Sequence, residues 1–223
     1  MDLLKLISSL EELIVEIALW IILLPRTLWS AIVTPVKLAR YFDQTQEIPE
    51  KERDEKYLSP VLFWLLIAPT SLIIWLMRQD QEALKFYGAQ PKEQFGTAAF
   101  MLLGFPLSFA AVTTWFRGES LSKRTLGREF ALQCYFNAPM SALFMLSLAL
   151  EPQLGHNVST MLFGISLAWF CITEVRIAKR DGAVRHPIVL VALGYGFAGF
   201  LMFAITLAIE CALVLSGRLP GFR

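Results

Sequence analysis

E-I-P-E-K-E-R-D-E-K-Y-L-S-P-V-L-F-W-L-L-I-A-P, residues 47–69, changes character halfway along. Its first half is nearly all charge and its second half has none. A chain that steps this abruptly from a solvated segment into an uninterrupted apolar run reads as one that leaves water for the interior of a bilayer.

The rest of the chain fits that step. Charged residues make up 17% of the sequence, below the roughly 25% of a soluble domain, and they lie mostly outside five long apolar runs. These runs are Leu58 to Met77, Phe95 to Phe116, Phe130 to Leu150, Val158 to Ile177 and Pro187 to Leu215. Each is long enough, at about 1.5 Å of rise per residue, to cross a hydrocarbon core. Proline and glycine inside them (Pro69, Gly104, Pro106, Pro139) are tolerated where neighbouring helices satisfy the freed backbone groups.

Upstream of the step lies a different pattern. Leu3, Ile7, Leu10, Ile14, Ile17, Ile21 and Leu24 recur at three- and four-residue steps, with Asp2, Lys5, Ser9, Glu12 and Glu16 opposite. That is an amphipathic helix. Its charge-free part, Ile17 to Leu24, is too short to span, so residues 3–24 are expected to lie at the membrane surface and to end at Pro25. No cleavable signal peptide is expected, because a basic leader is missing and Glu11, Glu12 and Glu16 interrupt the apolar stretch. The acidic face favours packing on protein, including a second copy, with Ile14 and Ile17 at the centre of the apolar stripe. A second helical pattern from Arg26 to Phe42 sets Arg26, Lys37 and Arg40 on one side, suited to anionic headgroups. Asp43 to Lys56, with six acids and three bases, is a solvated linker.

Loop charge sets the orientation. The connection Arg117 to Arg128 holds four bases, as does Arg176 to Arg185, whereas Glu151 to Asn157 holds none. The positive-inside rule puts both basic connections in the cytoplasm. With five spans the N-terminus is then inside and the C-terminus outside. Lys123, Arg124, Lys179 and Arg180 become a cytoplasmic surface for a partner or lipid.

Y-L-S-P-V-L-F-W-L-L at 57–66 and R-E-F-A-L-Q-C-Y-F-N-A-P at 128–139 resemble the first-span approach and a later loop-to-span passage of the Yip (Ypt/Rab-interacting) membrane proteins, in the broad sense that includes bacterial members. The resemblance extends over about Pro25 to Ser216. It implies a five-helix membrane bundle and a bacterial inner membrane. The D-L-Y-G-P type signature of the eukaryotic trafficking members is absent, so GTPase binding is not carried over.

Polar residues inside apolar helices are the candidate sites. Asn137 stands mid-helix beside Pro139, Tyr195 lies among Gly194, Gly196 and Gly199, and Glu210 falls near the outer end of the fifth run. Ala192 and Gly196 fit a small-x-x-x-small helix contact. Glu174 and Arg176, two positions apart, are expected to anchor separately at the interface. Cys134, Cys171 and Cys211 read as packing residues, and His156 and His186 lack partners at ligand spacing. No catalytic, phosphate-loop or cofactor motif is present, and the near-neutral net charge of +1 points away from nucleic acid.

The fold class expected is therefore all-α: a polytopic membrane protein in which residues 1–42 form an N-terminal amphipathic interfacial hairpin, 43–57 a charged linker, 58–216 a five-helix transmembrane bundle and 217–223 a short tail. The expected role is non-enzymatic, a scaffold or accessory subunit bound to lipid and to another membrane protein or a second copy, without cofactor. A small-solute or ion transporter or channel subunit is the alternative.

Overall fold

A computed structural model describes residues 3–46, 48, 56–78, 91–180, 184 and 186–215. The described residues form seven α-helices: α1 (Leu3–Val33), α2 (Pro35–Gln46), α3 (Pro60–Arg78), α4 (Pro91–Phe116), α5 (Lys123–Leu154), α6 (His156–Arg180) and α7 (Pro187–Leu215). Four of them open on proline, whose fixed φ suits the first helical position and whose missing N–H is no loss there. The fold is all-α, as expected. Most of the charged linker and the tail at 217–223 lie outside the described residues.

α5 is the central helix, packing against α3, α4 and α6, while α7 packs mainly on α4. The packed face of α5 is continuous from Leu132 to Ser141. Phe63, Leu132, Tyr135 and Phe136 lie in the main core. A second aromatic group joins α4, α6 and α7: the Tyr195 ring sits edge-on to Phe109 at 5.2 Å and to Phe170 at 5.9 Å. Tyr195 is thus a packing residue of α7. The close approach in α7 is at Gly194, where a Cβ would stand 2.6 Å from Phe109 Cε1. The expected contact at Ala192 and Gly196 is not formed: both are exposed, and a Cβ on Gly196 would meet nothing within 4 Å. The Phe109 ring leaves no room for a Cβ at this position, which selects Gly194 instead.

The charged-to-apolar step coincides with a buried tie between the N-terminal helices and the bundle. Leu58 N donates to Thr27 Oγ1 of α1 at 3.0 Å, and Tyr135 of α5 donates its hydroxyl to Leu58 O at 2.6 Å. Both backbone groups of one residue are thereby held by side chains from two other helices. Thr27 also donates to Leu23 O at 2.7 Å. Next to this peptide, Arg26 lies 5.5 Å from the Tyr57 ring centroid, and Tyr57 meets Tyr41 edge-on at 4.9 Å. Trp169 Nε1 of α6 donates to Ile32 O of α1 at 3.1 Å.

Pro25 does not end the first helix. α1 runs through it to Val33, and the break falls at Thr34, ahead of Pro35. Pro25 removes the bond that Ile21 O would accept, well inside the helix, and the packing of Leu23, Thr27 and Ala31 on the bundle holds the helix on both sides of it. By length and composition, two helices among the described residues are long and apolar enough to cross a membrane: Ser9–Val33 within α1, and α6. The apolar parts Pro60–Thr70 of α3 and Pro187–Leu201 of α7 are shorter. Residues 3–24, read from the sequence as too short to span, thus become part of a longer apolar helix.

α6 exposes large apolar side chains and buries polar ones beside Phe170 and Ile177. Met161, Ile165 and Ile172 are exposed at 63%, 52% and 52%, while Ser159, Ser166, Thr173 and Glu174 are buried. Water-soluble helices bury the apolar face and expose the polar one.

The Leu58 tie has a measurable consequence. Thr27→Val leaves the buried Leu58 N–H without an acceptor, and such a loss costs about 1–3 kcal/mol. The midpoint of thermal unfolding should fall accordingly, and Tyr135→Phe should lower it by a smaller amount. An unchanged midpoint in Thr27→Val contradicts this account of the tie.

Candidate functional site

The site is built where α4 hands over to α5. Gly118, at φ 69°, takes the left-handed conformation that ends α4, and its N–H bonds Trp115 O at 2.9 Å. Ser122 then caps α5: its Oγ accepts from Thr125 N at 3.2 Å, and Thr125 Oγ1 accepts from Ser122 N at 3.1 Å. This tight turn sets Arg117 on one side of the connection opposite Arg124 and Arg128 on the other.

These three arginines and Arg180, from the end of α6, line one cavity of about 920 Å³. Phe42, Asp43 and Gln46 of α2 form its remaining wall, with Thr125, Gly127 and Ala131 of α5. Arg117 and Arg180 are buried, their side chains 9% and 7% exposed. Such charges must be paired. Arg180 Nη2 donates to Asp43 Oδ2 at 2.6 Å. Arg117 Nη1 and Arg128 both donate to the same oxygen of Glu129, Arg128 at 2.9 Å through Nη2 and 3.2 Å through Nε. Glu119 reaches Arg128 at 3.6 Å. Burial works against the charge on Arg128, but the bond to Glu129 and the nearby acids outweigh it and hold that guanidinium above its ordinary value.

Deeper in the bundle, a second polar group connects α5 to α6. Gln133 Nε2 donates to Glu174 Oε2 at 3.1 Å, and Asn137 Nδ2 donates to Gln133 O at 3.0 Å and to Gln133 Oε1 at 3.2 Å. All three side chains are at most 2% exposed. Glu174 Oε1 and Asn137 Oδ1 have no hydrogen-bond partner among the described residues.

Of the residues singled out from the sequence, the structure brings Arg124 and Arg180 into one cavity. Lys123 and Lys179 stay exposed beside it, and Lys37 and Arg40 are exposed on α2. Arg26 is committed to the Tyr57 ring. Ile14 and Ile17 are exposed on the first half of α1. Asn137 joins Gln133 and Glu174, whereas Tyr195 belongs to the aromatic group, so the two do not make one site through any shared hydrogen bond. The Glu210 side chain lies outside the described residues. Glu174 is corrected: it is buried against Gln133, not placed as an interface anchor, because the rotation of α6 turns it toward α5 while Arg176 faces outward. Sequence reasoning treated Arg117 and Arg128 as orientation signals only and passed over Glu129 and Asp43. The legible signal was Arg128-Glu129 in the second turn of α5: a carboxylate there faces the preceding connection and its bases.

No family model, no curated protein and no solved structure matches this chain.

Glu129 is the hub of the cavity. Glu129→Ala leaves two guanidinium groups facing each other without their shared acceptor, and breaking a buried pair in this way costs about 3–5 kcal/mol. A large drop in the thermal midpoint is expected. An unfolding free energy within about 0.5 kcal/mol of the parent, the range of ordinary surface changes, contradicts the assignment.

Proposed function

We propose that the chain is an integral membrane protein in which α3 to α7 are five spans, acting as a non-enzymatic scaffold or accessory subunit. Its cytoplasmic end holds an anionic partner or lipid surface. The observation that carries this reading is the convergence of two basic connections on one cavity: Arg117, Arg124 and Arg128 from one, Arg180 from the other. The positive-inside rule requires both at the same membrane face. A basic cavity there faces the anionic leaflet.

Further support comes from the outward apolar and inward polar faces of α6, and from the charge-free run Phe130 to Leu150 along α5. The likeness of residues 57–66 and 128–139 to the Yip membrane proteins points the same way, toward a multi-pass protein of a bacterial inner membrane. In this reading the N-terminus is cytoplasmic and the C-terminus outside. The first half of α1, exposed along Leu10, Leu13, Ile14 and Ile17, is the arm that meets a second protein or a second copy.

A transport or channel role is the second reading. The buried Glu174–Gln133–Asn137 group favours it, because a carboxylate inside a membrane bundle marks ion or proton pathways.

Orientation is directly testable. In a chain with Cys134, Cys171 and Cys211 replaced by alanine, single cysteines placed by Lys123→Cys and Lys179→Cys should react with a membrane-impermeant maleimide only from the cytoplasmic side. Asn157→Cys should react only from the opposite side. Labelling of Lys123→Cys and Lys179→Cys from opposite sides rejects the five-span arrangement.

A further inference from the structure

We infer that the arginine cavity is a binding site for a phosphate group. The inference deepens the reading above and rests on it in one respect: the cavity lies at the membrane–cytoplasm boundary, open to phosphate from either a lipid headgroup or a soluble ester.

Four guanidinium groups line the cavity, and the carboxylates bonded to them are Asp43, Glu129 and, at 3.6 Å, Glu119. Arg117 and Arg128 divide a single Glu129 oxygen between them. Each guanidinium carries five N–H donors and accepts nothing, so four of them around one cavity present a dense set of donors. An anion entering the cavity meets charged donors on several sides.

Shape selects the kind of anion. The arginines come from three directions: the end of α4, the first turns of α5 and the end of α6. A carboxylate has two oxygens in one plane and satisfies one fork. A tetrahedral phosphate presents oxygens on several sides and can accept from forks on different helices at once. The volume of about 920 Å³ admits the phosphate together with the group that bears it. Phe42 and Ala131 supply an apolar wall beside the charged one. Two of the guanidinium groups, Arg117 and Arg180, are already fixed and largely dehydrated by burial, so little ordering remains to be done on binding.

Asp43 is the competing ligand. It occupies Arg180 from α2 while remaining 39% exposed. Asp43→Asn should therefore tighten phosphate binding, and Arg124→Gln should weaken it. Arg124 is exposed at the mouth of the cavity, so its replacement leaves the buried pairs intact.

The test uses the purified full chain in neutral detergent, titrated calorimetrically with inorganic phosphate and separately with acetate at equal ionic strength. Saturable phosphate binding is expected, at least about tenfold tighter than acetate, as multiple charge-assisted bonds imply. Arg124→Gln should weaken it by about tenfold. Arg176→Gln, which removes an exposed charge of α6 outside the cavity, should change it by less than about twofold, in keeping with a charge screened by solvent.

Nanodiscs of phosphatidylcholine with and without phosphatidic acid identify the source. Phosphatidic acid that displaces inorganic phosphate assigns the site to a lipid headgroup. Phosphate binding that phosphatidic acid leaves untouched assigns it to a soluble ester. Absence of saturable phosphate binding overturns the inference, as does equal weakening by Arg124→Gln and Arg176→Gln, or no weakening by Arg124→Gln. Labelling of Lys123→Cys and Lys179→Cys in the same preparation separates the two failures. No phosphate binding with both sites on one face removes the ligand alone, whereas sites on opposite faces remove the membrane arrangement as well.

Discussion

The peptide of Leu58 is the point on which the arrangement of helices turns. Its N–H is held by Thr27 from α1 and its carbonyl by Tyr135 from α5, so the start of α3 cannot shift without breaking a buried bond on each side. A buried backbone group left unpaired costs far more than a typical hydrogen bond contributes. The tie fixes α1 against the central helix, and because α2 follows α1 after a single residue at Thr34, it also fixes where α2 can lie. That placement brings Asp43 to Arg180 and closes the α2 wall of the arginine cavity. A local backbone constraint near the charged-to-apolar step thus positions the site at the end of the bundle.

The interior repeats this theme. α5 carries Glu129, Gln133 and Asn137 on successive turns, four positions apart, so all three project from one face of the helix. Glu129 gathers Arg117 and Arg128, Gln133 reaches Glu174, and Asn137 bonds back to Gln133. One helix face therefore runs from ion pairs at its start to a neutral amide at its middle. In the proposed membrane setting this gradient follows the cost of burial: full charges stand nearest the water, and amides stand where a charge would be most expensive.

Much of the fold was legible. The five apolar runs correspond to α3 through α7, and four of their starts are marked by proline at Pro60, Pro91 and Pro187 or by the Ser122 cap. The end of α1 was not legible, since a proline in an apolar helix stops it in water but not where flanking residues pack on a neighbour. Rotation of each helix about its own axis was equally hidden. α6 is apolar on the face that turns outward and only modestly polar on the face that turns in, so no periodicity announces that Glu174 points at Gln133, forty-one positions away. The site was half visible: the bases of both connections could be counted, but their convergence depends on the Gly118 turn and on α2 folding back over them. The surroundings of Tyr195 were equally hidden: a polar residue among glycines has its ring in the aromatic packing around Phe109.

The account rests on an inversion of polarity, with apolar side chains facing lipid and polar ones facing one another. Spin labels at Met161, Ile165 and Ile172, with a fourth at Lys179, probe this directly through their collisions with oxygen, which partitions into lipid, and with a water-soluble nickel chelate. The account predicts high oxygen and low nickel accessibility at the first three positions and the reverse at Lys179. Nickel accessibility at Met161, Ile165 and Ile172 equal to that at Lys179 would place the outer face of α6 in water and contradict the membrane-embedded bundle.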